Sequence, residues 1–160
     1  MCSSDLRAAE PGLASLRVGD VVTYIRTDYV VEAVLSFDDD GQVTRLYRIA
    51  DGNRVRWLAL RAGDPDPVFL EEIAALEVAV DVNAPDQLTQ SGIHFRLASR
   101  ASTRVSLVGS LPRPPGDRAW FYDYAGAGRR RLFAIAWGDR SNGFLGESVD
   151  AGMFDILPGS

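Results

Sequence analysis

Short runs of β-branched and aromatic residues, separated by turns rich in glycine and aspartate, recur along the chain from Val21 onward. Residues of this kind favour strands, and their regular separation by turn residues is typical of an antiparallel sheet. The predicted strands cover residues 21–26, 29–35, 43–50, 54–60, 93–98, 104–111, 119–124 and 130–137, with short pieces near 88, 144 and 154. The chain is therefore predicted to be all-β and built of antiparallel meanders.

Three of the turns between these runs have a recognisable chemistry. Thr27-Asp28 separates the first two runs and predicts a hairpin. Asp51-Gly52 is the dipeptide preferred by a two-residue type I′ turn, in which both central residues have positive φ. Asp38–Gly41 is rich in oxygen ligands, but the twelfth residue from Asp38, where a calcium loop needs glutamate, is Ile49. We interpret Asp38–Gly41 as a solvated turn.

The stretch 68–82 has two competing patterns. Three apolar residues recur in it at helical spacing: Phe69, Ile73 and Leu76. The valines of 78–82, by contrast, alternate as in a strand. We expect strands over this stretch, with a short helix near 71–76 as the alternative.

Two parts of the chain are similar to each other. Residues 29–31 (Tyr-Val-Val) align with 95–97 (Phe-Arg-Leu), a shift of 66 positions. Tyr47 and the Trp-Leu-Ala segment after it align with Tyr122 and a Leu-Phe-Ala segment, a shift of 75 positions. This similarity predicts a duplication of two β halves. The alternative, that any two meanders of like length align this well, stays open.

The predicted organisation is one β-rich domain over residues 13–160, preceded by a flexible N-terminus over 1–12. Within the domain the two similar halves cover 16–64 and 88–139, and a C-terminal extension follows them. A chain of 160 residues can bury a substantial core, and its hydrophobic content of 46% suits a packed domain.

Composition excludes several classes of chemistry. The chain has one His, one Cys and no Lys, so all 17 basic residues are arginines. One His and one Cys cannot form a His/Cys zinc cluster, and a single Cys forms no internal disulfide. Without lysine, neither a Schiff base nor the phosphate-binding lysine of a P-loop is available. We therefore expect no metal and no cofactor.

The sequence contains no segment that predicts export or membrane insertion. Its first ten residues include two acids and an arginine, and they lack the apolar centre of a secretory signal. The longest strongly apolar run, Leu132–Trp137, is far shorter than the roughly 20 residues that span a bilayer. A net charge of −5 disfavours nonspecific binding of nucleic acid. These features predict a cytoplasmic protein for which a nucleic-acid partner is disfavoured.

One predicted strand presents aromatic rings at alternate positions, and a run of arginines follows it. The rings that share one face of the strand are Trp120, Tyr122 and Tyr124. The arginine run consists of Arg129, Arg130 and Arg131. Rings beside guanidinium groups can stack a base or hold an anion, so these six are the candidate binding residues. The alternative is that the rings build the core while the arginines protect a strand edge with charge.

The single histidine is the only residue that suggests catalysis. His94 lies between two apolar residues in a predicted strand, and the sequence contains no nucleophile elbow. We interpret His94 as a surface or structural residue and predict that the protein is not an enzyme. A hydrolase dependent on His94 is the minor alternative.

Four segments carry a family resemblance through their order and spacing. They are Leu16–Val22 (LRVGDVV), Asp28–Glu32 (DYVVE), Arg56–Leu58 (RWL) and Gly152–Pro158 (GMFDILP). Together they resemble an uncharacterised bacterial family, the domain of unknown function 4178, over about residues 13–158. Thr44–Tyr47 departs from the family's pattern, which more often has a Trp followed by an acidic and an aromatic residue.

The resemblance implies an all-β cytoplasmic protein that is encoded among bacterial genes linked to membrane stress. It implies no activity and no site residues. We therefore predict a non-enzymatic binding or scaffold module with a protein partner in such an assembly. The alternative function is binding of a small ligand or of single-stranded nucleic acid by the aromatic and arginine residues named above.

Overall fold

The computed structural model describes residues 12–78, 80, 83–113, 115–138 and 140–159. These residues form eleven β-strands and two short 3-10 turns, and the predicted all-β fold is confirmed. The 3-10 turns are Leu13–Ser15 and Ala151–Met153. The strands are β1 (Val21–Tyr24), β2 (Thr27–Asp39), β3 (Gln42–Asp51), β4 (Arg54–Leu60), β5 (Val68–Ile73), β6 (Gln87–Gln90), β7 (Ile93–Gly109), β8 (Arg118–Gly126), β9 (Arg130–Ala136), β10 (Ser141–Ser148) and β11 (Phe154–Leu157).

Two meanders pair with each other at both of their outer strands and so close a barrel. One meander is β2, β3, β4 and β5, and the other is β7, β8, β9 and β10. β2 pairs with β7 and β5 pairs with β10, both antiparallel, which gives a closed barrel of eight strands. β1 and β11 extend the sheet beyond β2, and β6 extends it beyond β7.

The two longest strands leave the barrel wall part-way along their length. The register of β2 with β3 shifts between Val31 and Ala33, and the register of β7 with β8 shifts between Leu97 and Ser99. Bulges of this kind bend a strand and increase its twist. The segment before each bulge therefore lies outside the barrel, where β2 pairs with β1 and β7 pairs with β6.

Three apolar clusters follow from this arrangement. The interior core takes side chains from all eight barrel strands, among them Phe37, Trp57 and Phe133. A first outer core forms around Tyr47 where β1 and β11 cover β3 and β4, and a second forms around Tyr122 where β6 covers β8 and β9. Because successive residues of a strand point to opposite faces, the covered strands are apolar on both faces.

Strand pairs at equivalent positions of the two meanders have the same register. Ala33 faces Arg48 in the first meander, and Ser99 faces Asp123 in the second. These pairs are related by the same shifts of 66 and 75 positions at which the sequence aligns with itself. The descent of 16–64 and 88–139 from one ancestral segment stays a prediction, as does the single domain over 13–160.

The first hairpin turns two residues earlier than the sequence suggested. Tyr24 pairs with Thr27, so Thr27 and Asp28 already belong to β2. The turn residues are Ile25 and Arg26, which have φ of 46° and 63°. Positive φ at both central positions is the conformation of a type I′ turn, formed here without glycine.

The second hairpin is displaced by one residue. Asp51 pairs with Arg54, so the two turn residues are Gly52 and Asn53. Only Gly52 of these two has positive φ, which is the pattern of a type II′ turn rather than the expected type I′.

The alternative prediction of a short helix near 71–76 is wrong. β5 continues through Ile73, and residues 74–78 form bends without helix. Val78 and Val80 also lie outside the strands, and Val80 is buried in the second outer core. Tertiary packing rather than strand periodicity therefore explains their apolar character.

Two further expectations concern chain segments. The runs predicted at 93–98 and 104–111 form one continuous strand, β7. The predicted flexible N-terminus falls on residues 1–12, of which 1–11 lie outside the described residues. Among the residues that are described, no helix has the length and apolarity needed to cross a membrane.

The close approach of β5 and β10 at Gly146 leaves no room for a side chain there, which can be tested by substitution. Gly146 faces Leu70, and a Cβ at Gly146 would overlap the carbonyl oxygen of Phe69. We expect Gly146→Ala to lower the free energy of unfolding by about 1–3 kcal/mol, the usual cost of overpacking. Urea unfolding measures this value. Gly116→Ala is the matched control, because a Cβ there meets only ordinary van der Waals contacts; equal stability of the two variants would contradict the prediction.

Candidate ligand-binding site

One end of the barrel holds a cavity. We call this end, where β3 ends and β4 begins, the open mouth. The cavity has a volume of about 520 Å³ and is lined from both meanders. Small-molecule sites in proteins are commonly clefts of about 300–1,000 Å³ with mostly apolar walls and a few polar groups. The cavity therefore has the size of a site for a small organic molecule.

The floor of the cavity is part of the interior core. Leu35, Trp57, Ile135 and Phe144 belong to both. The rings of Trp57 and Phe144 meet edge to face, with centroids 5.1 Å apart. The floor therefore offers an apolar and aromatic surface to a ligand.

The connection between β7 and β8 borders the same cavity. Leu111, Pro112, Arg113 and Pro115 line it, and Leu111 packs against the interior core. Proline fixes its own φ and restricts the residue before it, which limits the conformations of this connection. We call the described residues of this connection, 110–113 and 115–117, the mouth loop.

Charged side chains surround the apolar floor. The arginines that line the cavity are Arg48, Arg56, Arg113 and Arg140, and the acids are Glu71 and Glu72. Arg56 Nη2 lies 2.9 Å from Glu71 Oε1, and Arg48 Nε lies 3.3 Å from Oε1 of Glu32, which is outside the cavity. The Arg140 guanidinium lies 5.4 Å from the centroid of the Trp137 ring. Guanidinium groups thus outnumber carboxylates at the open mouth.

The two indole N–H groups at the cavity differ in their partners. Trp137 Nε1 donates to Asn142 Oδ1 at 2.7 Å, and the Asn142 amide donates to Glu72 at 3.0 Å. Trp57 Nε1 is buried and has no hydrogen-bond acceptor within the described part of the chain. A buried donor without an acceptor is costly and uncommon, so a ligand that supplies an acceptor would relieve this cost.

The opposite end of the barrel is filled by an ion-pair cluster, and we call it the sealed mouth. Asp123 is only 4% exposed and points inward from β8. It accepts hydrogen bonds from Arg131 of β9 at 2.5 and 3.2 Å and from Arg61 after β4 at 2.5 Å. Arg61 also donates to Ser99 at 3.1 Å, and Arg131 donates to Ser148 at 3.2 Å.

The cluster rests directly on the interior core. The Arg61 guanidinium lies over the Phe121 ring and the Arg131 guanidinium over the Phe133 ring, at 5.3 and 5.4 Å. Inside the barrel at this end, a cavity beside Arg61 has a volume of only about 50 Å³. A second, open groove of about 440 Å³ also borders Arg61, but it lies against the outward-facing residues Val43, Arg45 and Leu60. Because its charged groups bind each other, the sealed mouth offers little room to a ligand.

Comparison with known proteins places the fold in a family. A family model described as "Domain of unknown function (DUF4178)" matches residues 17–151. The chain belongs to this family. No curated protein and no solved structure matches the chain.

The DUF4178 match includes all eight barrel strands and the outer strands β1 and β6. β11, and with it the segment Gly152–Pro158 that contributed to the resemblance, lies beyond the matched residues. Two residues of the resembling segment Arg56–Leu58, Arg56 and Trp57, line the open mouth. The family match therefore covers the cavity and the strands that build it.

The aromatic stripe is mostly buried. Tyr122 and Tyr124 have no exposed area, because β6 and the second outer core cover that face of β8. The Tyr124 hydroxyl donates to the Pro85 carbonyl at 2.8 Å. Trp120 is half-buried, and its ring stacks on that of Tyr122 with centroids 6.1 Å apart. Tyr122 and Tyr124 therefore belong to the second outer core, and Trp120 packs against it.

The three candidate arginines have separate surroundings. Arg131 belongs to the sealed mouth. Arg129 is exposed and donates to the Ser148 carbonyl at 2.8 Å and to Asp66 at 3.3 Å. Arg130 is exposed and borders a shallow outer groove between β5 and β10. The structure does not bring these arginines together into one site with the aromatic stripe.

The remaining sequence candidates lie at the surface. His94 is exposed on β7 opposite Thr89. The Asp38 carboxylate accepts a hydrogen bond from the Gly41 amide at 2.8 Å, which is ordinary turn chemistry. The described residues contain no group of three or more potential metal ligands.

Sequence reasoning missed the residues of the open mouth. Val55, Trp57 and Ala59 alternate in β4, which predicts a buried face but not the end of the barrel to which each residue belongs. Arg48, Arg113 and the other cavity arginines are far apart in sequence, so no local motif connects them. The only local signal was Arg56-Trp57 in the segment that carried the family resemblance.

Replacing Asp123 of the sealed mouth by the uncharged Asn should greatly reduce stability. Asp123→Asn leaves Arg61 and Arg131 without their shared carboxylate, so we expect it to lower the free energy of unfolding by about 3 kcal/mol. Urea unfolding measures the loss. Asp66→Asn is the control, because its pair with Arg129 is exposed and should contribute less than about 1 kcal/mol. Similar losses in both variants would contradict the cluster's structural role.

The outer cores predict a loss of stability at alkaline pH. Burial raises the pKa of Tyr47 and of Tyr124 from 10.0 to about 12. The unfolded chain therefore loses these protons first, so the contribution of the two tyrosines to stability is fully present below pH 10 and is lost as the pH rises from 10 towards 12. Urea unfolding at a series of pH values measures this fall. The variant Tyr47→Phe/Tyr124→Phe should show a shallower fall, and an unchanged profile would contradict the prediction.

Proposed function

We propose that this DUF4178 protein is a non-enzymatic binding module that takes a small ligand with an apolar body into the open mouth. One observation carries the proposal: the cavity has an aromatic floor, and the buried N–H of the floor residue Trp57 has no acceptor among the residues that the structure describes. An aromatic floor favours an apolar body, and the N–H favours a ligand that also carries an acceptor.

The polar groups of the open mouth support binding rather than catalysis. Glu71 pairs with Arg56, and Glu72 accepts a hydrogen bond from Asn142. General acid–base catalysis is favoured by a carboxylate in a sheltered environment that tunes it, whereas Glu71 and Glu72 are both exposed. His94 is exposed on β7 and does not line the cavity.

The family resemblance supports a cellular setting for this module. We keep the hypothesis of a bacterial cytoplasmic assembly linked to membrane stress, with a protein partner, as a prediction. One feature favours a partner: β11 is an edge strand, and its Leu157 lines up with Val21 and Val30 across β1 and β2. Leu157 and Val30 are exposed. An apolar row at a sheet edge is a surface that strand addition can cover.

Ligand binding is tested by calorimetric titration with three probes that share one alkyl chain: decanol, decanoate and decylamine. All are used below the concentrations at which they form micelles. We expect at least one probe to bind saturably with one site per chain, because the cavity has room for one such molecule.

A cavity-filling variant locates the binding. Val55 lines the cavity from β4, so Val55→Trp should abolish binding while far-ultraviolet circular dichroism stays that of the β fold. Val43→Trp is the matched control, because Val43 lies away from the open mouth. Failure of all three probes to bind, or equal binding by the Val55→Trp variant, would overturn the proposed function.

A further inference from the structure

We infer that the ligand of the open mouth is an oxyanion with an apolar body, such as an alkyl carboxylate or an alkyl phosphate. This inference rests on the proposed function and specifies its ligand class. It is carried by the charges around the cavity and by the way those charges are paired.

The charges favour an anion. Four guanidinium groups and two carboxylates line the cavity. Arg56 pairs with Glu71, and Arg48 pairs with Glu32 from outside the cavity. Arg113, by contrast, is exposed and has no ion pair with any residue that the structure describes, so its guanidinium is open to an anionic group. In a partly enclosed site the low local dielectric strengthens such an attraction.

The pairing of the acids disfavours a cation. Glu71 is bound by Arg56 at 2.9 Å, and Glu72 is bound by the Asn142 amide at 3.0 Å. A cationic ligand would have to share a carboxylate with one of these partners and would lie beside the guanidinium groups that line the cavity. An anion meets no such competition.

The layout of the cavity orients the ligand. The floor is formed by Trp57, Ile135 and Phe144, whereas Arg113 is exposed on the mouth loop at the rim. An amphipathic ligand would place its alkyl chain on the floor and its head group at the rim. The planar guanidinium of arginine donates two parallel hydrogen bonds, and both carboxylates and phosphates accept them.

The head group is tested by comparing dissociation constants within the same probe series, with decyl phosphate added. We expect decanoate and decyl phosphate to bind more tightly than decanol, and decylamine to bind most weakly. Raising the salt concentration should weaken the two anions and leave decanol nearly unchanged, because salt screens charge but not apolar contact. The relative affinity of decanoate and decyl phosphate identifies the preferred oxyanion.

One substitution at the rim tests the assignment directly. Arg113→Gln should weaken decanoate about tenfold, as expected for the loss of a charge-assisted hydrogen bond, and leave decanol unchanged. Arg113 is exposed, so the variant should fold normally. Arg104→Gln removes an equally exposed arginine from β7 away from the cavity, and it should leave both affinities unchanged.

The outcomes separate the two proposals. If no probe binds, the proposed function fails. If decanol or decylamine binds as tightly as decanoate, the cavity is a binding site but the oxyanion assignment is wrong. An equal loss of decanoate affinity in Arg113→Gln and Arg104→Gln would also overturn the assignment, because it would show a nonspecific effect of net charge.

Discussion

The antiparallel pairing of β2 with β7 is the interaction on which the rest of the structure depends. Together with the pairing of β5 and β10, it joins the two meanders into a cylinder without free edges in its wall. A closed wall forces alternate side chains inward, and eight strands enclose a space that side chains nearly fill. The interior core, the open mouth and the sealed mouth are all consequences of that closure. The bulges in β2 and β7 then allow the same two strands to cover the outside of the barrel.

The two ends of the barrel differ in how their inward-facing polar side chains are paired. At the sealed mouth, inward polar groups satisfy each other, since one carboxylate of Asp123 binds two guanidinium groups. At the open mouth, large rings and the mouth loop leave space between them, and the polar groups pair around the rim of that space. Equivalent positions of the two meanders show the contrast: Arg48 stands at the open mouth where Asp123 stands at the sealed one.

Much of the fold could be predicted from the sequence, because strand composition and turn residues are local signals. The strand runs and the all-β class follow from them, and the turns were misplaced only by one or two residues. Barrel closure could not be predicted, because it depends on pairing between residues 66 to 80 positions apart, such as Ala33 and Gly109. The stripe at Trp120 was ambiguous for the same reason: β8 is apolar on both faces, and only the position of β6 shows that both are covered. The cavity arginines come together only through closure.

Because the sealed mouth closes one end of the barrel, the mouth loop affects the rates at which a ligand would enter and leave. A cylinder that is blocked at one end has a single entrance, so a bound molecule must leave by the route through which it arrived. Leu111 and its neighbouring prolines border that entrance. Entry and exit would share this route, so a substitution at Leu111 or at the prolines would change the association rate and the dissociation rate together.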